Sequence, residues 1–361
     1  MVEDVLNTLQ SLAAYHRAKL RLPVIAVTGS NGKTTTKELI AAVLSQKFNI
    51  SYTKENLNNH IGVPLTLLEM TDITDMGIVE MGANHPGEIE ALCKIADPDF
   101  GIITNIGRAH LEGFGSFEGI KQTKAELYKY ISLKNGTVFY NQDDLTLKEL
   151  TLNLSNKISY GSHDADMIGE PVYAPPYLHV NIKLPEETLN INTKLTGMYN
   201  FENIMAAACI GSYFGITPSE IAMALQNYQP ENNRSQIIKK NELTIVMDAY
   251  NANPTSMEAA IESFASGFQG PKCLIIGDML ELGQYTGEEH NKILRQIKKH
   301  SFEEVLLVGP AFSEASKGFP FKSFKDTAGL CLYLIENKLN GCAVLIKGSR
   351  GIRLEKVLDF L

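Results

Sequence analysis

The residues best able to do chemistry stand in the turn Thr28-Gly29-Ser30-Asn31-Gly32-Lys33-Thr34. Gly29 and Gly32 permit backbone angles that let successive N–H groups converge on a phosphate at the positive end of a helix. Lys33 is then placed to neutralise the β and γ phosphates, and the Thr34 hydroxyl to hold Mg²⁺. The spacing is G-x-x-G-K-T, a shortened phosphate loop, because Val27 stands where the longer form has glycine. A glycine-rich turn alone also serves as a tight connection, but the strand before it and Lys33-Thr34-Thr35-Thr36 after it favour nucleotide binding.

Other groups sit where ligands bind in open α/β sheets, at the carboxyl ends of expected strands. Glu80 closes one such run and is a candidate Mg²⁺ ligand, although an isolated strand-end acid is more often simply solvated. His110 follows the next strand, and Lys124 lies on a helix soon after it; by themselves they read as an ordinary polar histidine and a surface lysine. Asn200 and Asn203 share a helical face and suit an N-cap, an adenine contact, or both. Arg234 lies in a polar linker, from which a guanidinium can reach a phosphate when two domains close. Asn251, Asn253, Lys347, Ser349 and Arg350 gather with Asp248 at the end of a second series of strands and are candidates for substrate binding. Each of these segments is also ordinary turn chemistry.

The elements that must position these groups emerge from the hydrophobic pattern. Val24–Val27 suits a buried strand, and Leu39, Ile40, Val43 and Leu44 recur at helical spacing. Strands are expected at 77–81, 101–106 and 137–140, with helices at 88–95 and 122–131 between them. That alternation predicts a mostly parallel sheet with helices on both faces. Residues 157–197 turn to short alternating runs broken by prolines, expected as a small antiparallel elaboration at the edge. Helices come next at 200–214 and 218–225. A second α/β series has strands at 244–247, 273–276, 305–308 and 343–346, separated by helices at 255–268, 288–300 and 326–337. The division expected is a helix over 1–22, a central P-loop domain over 23–230 and a Rossmann-like α/β domain over 231–361. In the first helix Val2, Val5, Leu9 and Leu12 form one stripe, expected to pack on the downstream chain or on a preceding segment.

Composition bounds the partners. The chain has 361 residues, 44% of them hydrophobic and 20% charged, as in an ordinary soluble globular protein. A formal charge of −8 argues against a nucleic-acid binder. Five cysteines without C-x-x-C spacing fit a reducing compartment better than a disulfide or zinc framework. No apolar run is long enough to cross a membrane and the start is no signal peptide, so a cytoplasmic location is expected; a monomer is expected as well.

The segments TGSNGKTTT, NLNNHIGVP, VEMGA, TNIGRAHLEGFGS, TKAEL, NFENIMAA, DAYNANPTSM, GDMLELG and KGSRGIRLE, in this order, resemble the Mur ligases, which build the peptide of the bacterial cell-wall precursor. The phosphate loop is shared with folylpolyglutamate synthases. DAYNANPTSM and GDMLELG narrow the likeness to the branch that adds D-alanyl-D-alanine. The resemblance implies that Gly29, Ser30, Asn31, Gly32, Lys33, Thr34 and Thr35 hold ATP, with Thr34 and Glu80 on a first Mg²⁺. It further implies His110 on a second Mg²⁺ and Lys124 carrying a carbamate that coordinates or orients metal. Asn200 and Asn203 match adenine contacts, Arg234 a phosphate contact and Asp248 a ribose contact; Tyr199 stands where the wider family often has histidine. The reaction implied joins D-alanyl-D-alanine to UDP-N-acetylmuramoyl-tripeptide through an acyl phosphate. Such ligases ordinarily have a further N-terminal domain for the uridine nucleotide, so weaker hold on that substrate is expected of these two domains alone. The alternatives are another Mur-type or folylpolyglutamate-type ligase, or a nucleotide-binding unit without catalysis.

Overall fold

Residues 2–185, 187–230 and 233–361 are described by a computed structural model in which two sheets carry the chain. The first contains β1 (Val24–Thr28), β2 (Ile50–Tyr52), β3 (Met76–Glu80), β4 (Phe100–Ile103), β5 (Thr137–Asn141), β6 (Lys157–Gly161), β7 (Met167–Ala174), β8 (Tyr177–Lys183) and β9 (Thr188–Asn192). Their order is β2-β3-β1-β4-β5-β6-β7-β8-β9. Pairing is parallel from β2 to β7 and antiparallel across β7–β8–β9, so the antiparallel elaboration expected over 157–197 begins only at β7, β6 still belonging to the parallel sheet.

β1 shows why the sheet is covered on both sides. All five residues are buried. Val24 and Ala26 face a core shared with helices Glu88–Ala96 and Phe117–Leu133, whereas Ile25 and Val27 face one shared with Lys33–Leu44 and Asn200–Tyr213. A parallel strand apolar on both faces needs such a helix layer on each. In register, Ala26 lies between Val79 of β3 and Gly101 of β4.

The second sheet contains β10 (Gln236–Lys240), β11 (Leu243–Asp248), β12 (Lys272–Gly277), β13 (Glu304–Val308), β14 (Lys322–Phe324) and β15 (Ala343–Lys347), in the order β10-β11-β15-β12-β13-β14. It is parallel except for β10, which pairs antiparallel with β11. Helices Pro254–Gly267 and Thr286–Ile297 cover one face and Thr327–Glu336 the other. One apolar cluster runs from Leu111 and Phe114 of the first unit to Met279 and Leu282 of the second, so the two units pack on each other.

Several expectations are corrected. The fourth strand stops at Ile103 rather than running to 106, because Thr104 and Asn105 turn aside to bond the phosphate loop. β2 and β14, of three residues each, and the edge strand β10 carry too little periodicity to be read. The first helix spans Val5–Leu20, and of its apolar stripe Leu9 alone is half-buried while Val2, Val5 and Leu12 are exposed, so the stripe packs little on the downstream chain. Ala13 and Arg17 anchor it instead, the buried Arg17 donating to the carbonyls of Ala96 and Asp97 and to the Asp99 carboxylate. The expected boundary at 230/231 falls at Glu231 and Asn232, outside the described residues.

Candidate active site

β1 lies between β3 and β4, so the carboxyl ends of all three deliver their loops to one crevice. The phosphate loop is fixed there by β4's continuation. Ser30 N–H donates to Asn105 O (3.0 Å), Asn31 N–H to Asn105 Oδ1 (2.9 Å) and Thr104 Oγ1 to Asn31 O (2.6 Å). Gly29, at φ +142°, passes so close to Thr104 that a Cβ would lie 2.0 Å from its Oγ1. Gly32, at φ +77°, caps the helix Lys33–Leu44, and a Cβ there would lie 2.5 Å from Asn203 Oδ1. Both positions therefore require glycine.

Charged groups crowd this helix start. Lys33 Nζ donates to Gly29 O at 2.8 Å. Burial lowers its pKa; Glu80 opposes that shift and Arg234 adds to it. Glu80 is almost wholly buried. Its Oε1 accepts from Asn58 Nδ2 (2.8 Å), while Oε2 has no hydrogen-bond partner among the described residues. Lys37, fully buried, holds its ammonium 3.8 Å from Oε2, and burial lowers its pKa as well. A buried carboxylate oxygen without a donor is costly unless something cationic completes it.

His110, at φ +53°, sets Nδ1 in ion-pair contact with the Glu281 carboxylate of the second unit. Lys124 is buried, its Nζ 5.5 Å from the centroid of the Phe114 ring, against which His110 also packs. Burial, with the Lys33 charge adding to it, pushes the Lys124 amine down to about 7.

The second sheet faces the loop across a cavity of about 930 Å³. Asp248 and Lys347 pair at 2.6 Å at the ends of β11 and β15. Asn253 donates to Asn31 Oδ1 at 2.7 Å. Arg234 stacks on Tyr250, its guanidinium carbon 3.6 Å from the ring centroid. The cavity wall takes in Ser30 to Thr35, Glu80, His110, Asn200, Asn203, Arg234, Asp248, Asn251, Asn253 and Lys347. Gly29, Lys124, Ser349 and Arg350 are not on it. Gly29 packs against Thr104 and Asn105, and Ser349 clamps Leu280 N and Ala252 O. Arg350 is exposed. Asn200 is not an N-cap: Tyr199 holds that position, and Asn200 bonds Thr196 O and Asn203. Asn203 in turn accepts from Thr36 Oγ1, which ties the long helix to the loop (3.0 Å). Among the described residues no group of three or more His, Cys, Asp or Glu is placed to hold a metal ion.

The Mur ligase middle domain matches residues 27–211, and the Mur ligase glutamate ligase domain residues 233–350. The UDP-N-acetylmuramoyl-tripeptide--D-alanyl-D-alanine ligase of Bacillus subtilis is 36% identical, over 100% of this chain and 80% of that protein. The chain belongs to the Mur ligase family. The Escherichia coli ligase of the same name is 33% identical over 100% of this chain and 81% of its own length. Among solved structures, MurF of Acinetobacter baumannii superposes with a TM-score of 0.92 at 33% identity, covering 99% of this chain and 81% of that one. MurF of Thermotoga maritima, in complex with ADP, gives 0.89 at 28% identity, covering 100% and 84%. A folylpolyglutamate synthase of Mycobacterium tuberculosis, at 14% identity and a TM-score of 0.76 over 98% of this chain and 94% of that one, shares the fold.

Several residues of this Mur ligase site escaped the sequence reading. Asn58 lies in the NLNNHIGVP segment but had no role until Glu80 came beside it. Lys37 looks like a solvated helix lysine, and only the packing of Tyr52 and Glu80 around it shows otherwise. Glu202, between Asn200 and Asn203, also lines the cavity; burial, with Asp144 and Asp143 nearby, pushes its carboxyl up to about 7.

Proposed function

We propose that the protein is an ATP-dependent ligase that adds D-alanyl-D-alanine to UDP-N-acetylmuramoyl-tripeptide in peptidoglycan precursor synthesis. The observation that carries this reading is the facing of the phosphate loop and the half-satisfied Glu80 by Arg234, Asn253 and Lys347 across one cavity. The B. subtilis and E. coli relatives bear the name of that activity.

In this reading Gly29 to Thr35 hold the ATP phosphates, Asn200 and Asn203 the adenine, Asp248 the ribose and Arg234 a phosphate. The tripeptide carboxylate attacks the γ phosphorus, ADP leaves, and an acyl phosphate forms. The free amine of D-alanyl-D-alanine then adds to the acyl carbon, inorganic phosphate leaves with the bonding pair, and the amine loses a proton. Lys33 offsets charge on the transferring phosphoryl group, and Asn251, Asn253, Lys347 and Arg350 serve the substrates on the far side, with Ser349 bracing Leu280 and Ala252 behind them. Positioning of both substrates between two packed units supplies the rest.

Thr34 and Glu80 fit one Mg²⁺, since this ion is usually bound by one or two carboxylates together with substrate phosphates and water. Bound there, Mg²⁺ would neutralise phosphate charge. The second ion, assigned to His110 and Lys124, fits less well: His110 faces Glu281, and Lys124 lies off the cavity wall. A neutral amine at Lys124 is what reaction with CO₂ to a carbamate requires, and a pKa near 7 supplies it. We take the protein to act as a monomer. Among the described residues no helix is long and apolar enough to cross a membrane, and we place the protein in the cytoplasm, where ATP is supplied. We divide it at 23–230 and 231–361, after the helix within 1–22.

The test is phosphate release from ATP and Mg²⁺ with the uridine-linked tripeptide, with and without D-alanyl-D-alanine. Release that needs both substrates, and is abolished in Glu80→Gln while the fold is kept, is the expected result. Equal release without the dipeptide overturns the reading.

A further inference from the structure

Arg234 shares the neighbourhood of the phosphate loop with Lys33 and Lys37, and its guanidinium is held by the ring of Tyr250. Arg234 lines the cavity, and its charge acts on both Lys33 and Lys37. Its Nε is buried with no hydrogen-bond partner among the described residues. Without phosphate between them, mutual repulsion would drive this guanidinium away from the two lysines. What meets it is the face of Tyr250, with the guanidinium carbon 3.6 Å from the ring centroid. A second guanidinium, that of Arg350 after β15, lies 5.3 Å from the same centroid. A planar guanidinium over a ring is attracted by the ring's quadrupole and loses little freedom on docking.

The surroundings of Tyr250 favour a role for the ring rather than the hydroxyl. The residue lies just beyond β11, two positions after Asp248, and lines the cavity. The hydroxyl makes no hydrogen bond among the described residues, whereas the ring contacts both arginines. In the ligase reading, one of these arginines serves the nucleotide and the other the amine substrate.

We propose that Tyr250 is a positioning residue whose ring holds Arg234 over the phosphate loop and Arg350 at the end of β15, so that affinity for the nucleotide and for the dipeptide both depend on it. The inference rests on the ligase reading for its dipeptide half, while the nucleotide half needs only that the loop binds ATP or ADP.

The experiment compares Y250L, Y250F and R234K. ADP affinity is measured by calorimetry, which requires no turnover, and KM for ATP and for D-alanyl-D-alanine is separated from kcat in the ligase assay. Y250L is expected to weaken ADP binding between about 2-fold and 30-fold, the span a lost cation–π contact corresponds to, and to raise both KM values more than it lowers kcat. Y250F, which keeps the ring, restores what Y250L loses. R234K keeps the charge but not the planar stack and weakens ADP binding in the same direction. If Y250L proves unfolded, the R234K and Y250F arms carry the test unaided. Wild-type ADP affinity in Y250L or in R234K overturns the proposal, and so does a loss in Y250F as large as in Y250L. A wild-type protein that binds ADP but forms no amide defeats the ligase reading instead, and the calorimetric comparison still decides the nucleotide half.

Discussion

Asn253, at the start of the helix Pro254–Gly267, donates its side-chain amide to Oδ1 of Asn31 in the phosphate loop over 2.7 Å. Residues 222 positions apart are thereby joined, and the second unit touches the loop directly. The same Asn253 accepts from Ser256 N–H (2.9 Å) as the N-cap of its helix, so one side chain both starts the helix and aims it at the loop.

These two roles separate on substitution. Asn253→Ser keeps a capping oxygen and loses the bridge, while Asn253→Ala loses both. We expect kcat/KM to fall roughly 2- to 10-fold in each, the worth of one hydrogen bond, and the alanine variant alone to lose about 1 kcal/mol of stability. Wild-type kcat/KM in Asn253→Ser would refute the bridge's part in alignment; denaturant melts and steady-state assays make the comparison.

Lys124 is buried near Phe114, and among the described residues no carboxylate forms an ion pair with it. With its amine pushed down to about 7, the folded chain carries a buried ammonium below that pH, whereas the unfolded chain stays protonated up to the ordinary lysine range. Between those limits the unfolded state binds the extra proton, so stability rises with pH. Lys124→Met should therefore stabilise the protein by about 1–4 kcal/mol at pH 6 in CO₂-free buffer, less at pH 9, and abolish turnover. A stability gain that does not change with pH, or full turnover, would contradict this assignment.

His290 is fully buried beside the ring of Phe312. Its Nε2 accepts from Met279 N–H (3.1 Å) and its Nδ1 lies 2.7 Å from Thr286 O, a pairing that the neutral Nδ1–H tautomer satisfies. Burial lowers its pKa against the opposing pull of Asp278 and Glu289. The unfolded chain thus takes the proton first as pH falls below about 6.5, and stability drops through that range. Thermal melts from pH 7 to pH 5 should show His290→Gln losing less than the wild type; parallel curves would remove His290 from the acid response.

What the sequence determined by itself was local or periodic. Residues within a few positions of one another wrote the phosphate loop, the two requisite glycines and the strand before them. The alternation of apolar runs gave both parallel sheets and the antiparallel edge, because burial on two faces leaves a continuous signal in each central strand. Tertiary structure decided whatever depends on distant neighbours. It put Asn58 on one oxygen of Glu80 and Lys37 near the other, moved Lys124 off the cavity wall, made Ser349 a brace and stacked Arg234 on Tyr250. It also left Val5 and Leu12 exposed while burying Arg17 on the carbonyls after Glu88–Ala96. Hydropathy ranks a side chain by its own atoms; whether a cation is buried or an apolar residue exposed is set by the partners that folding brings to it.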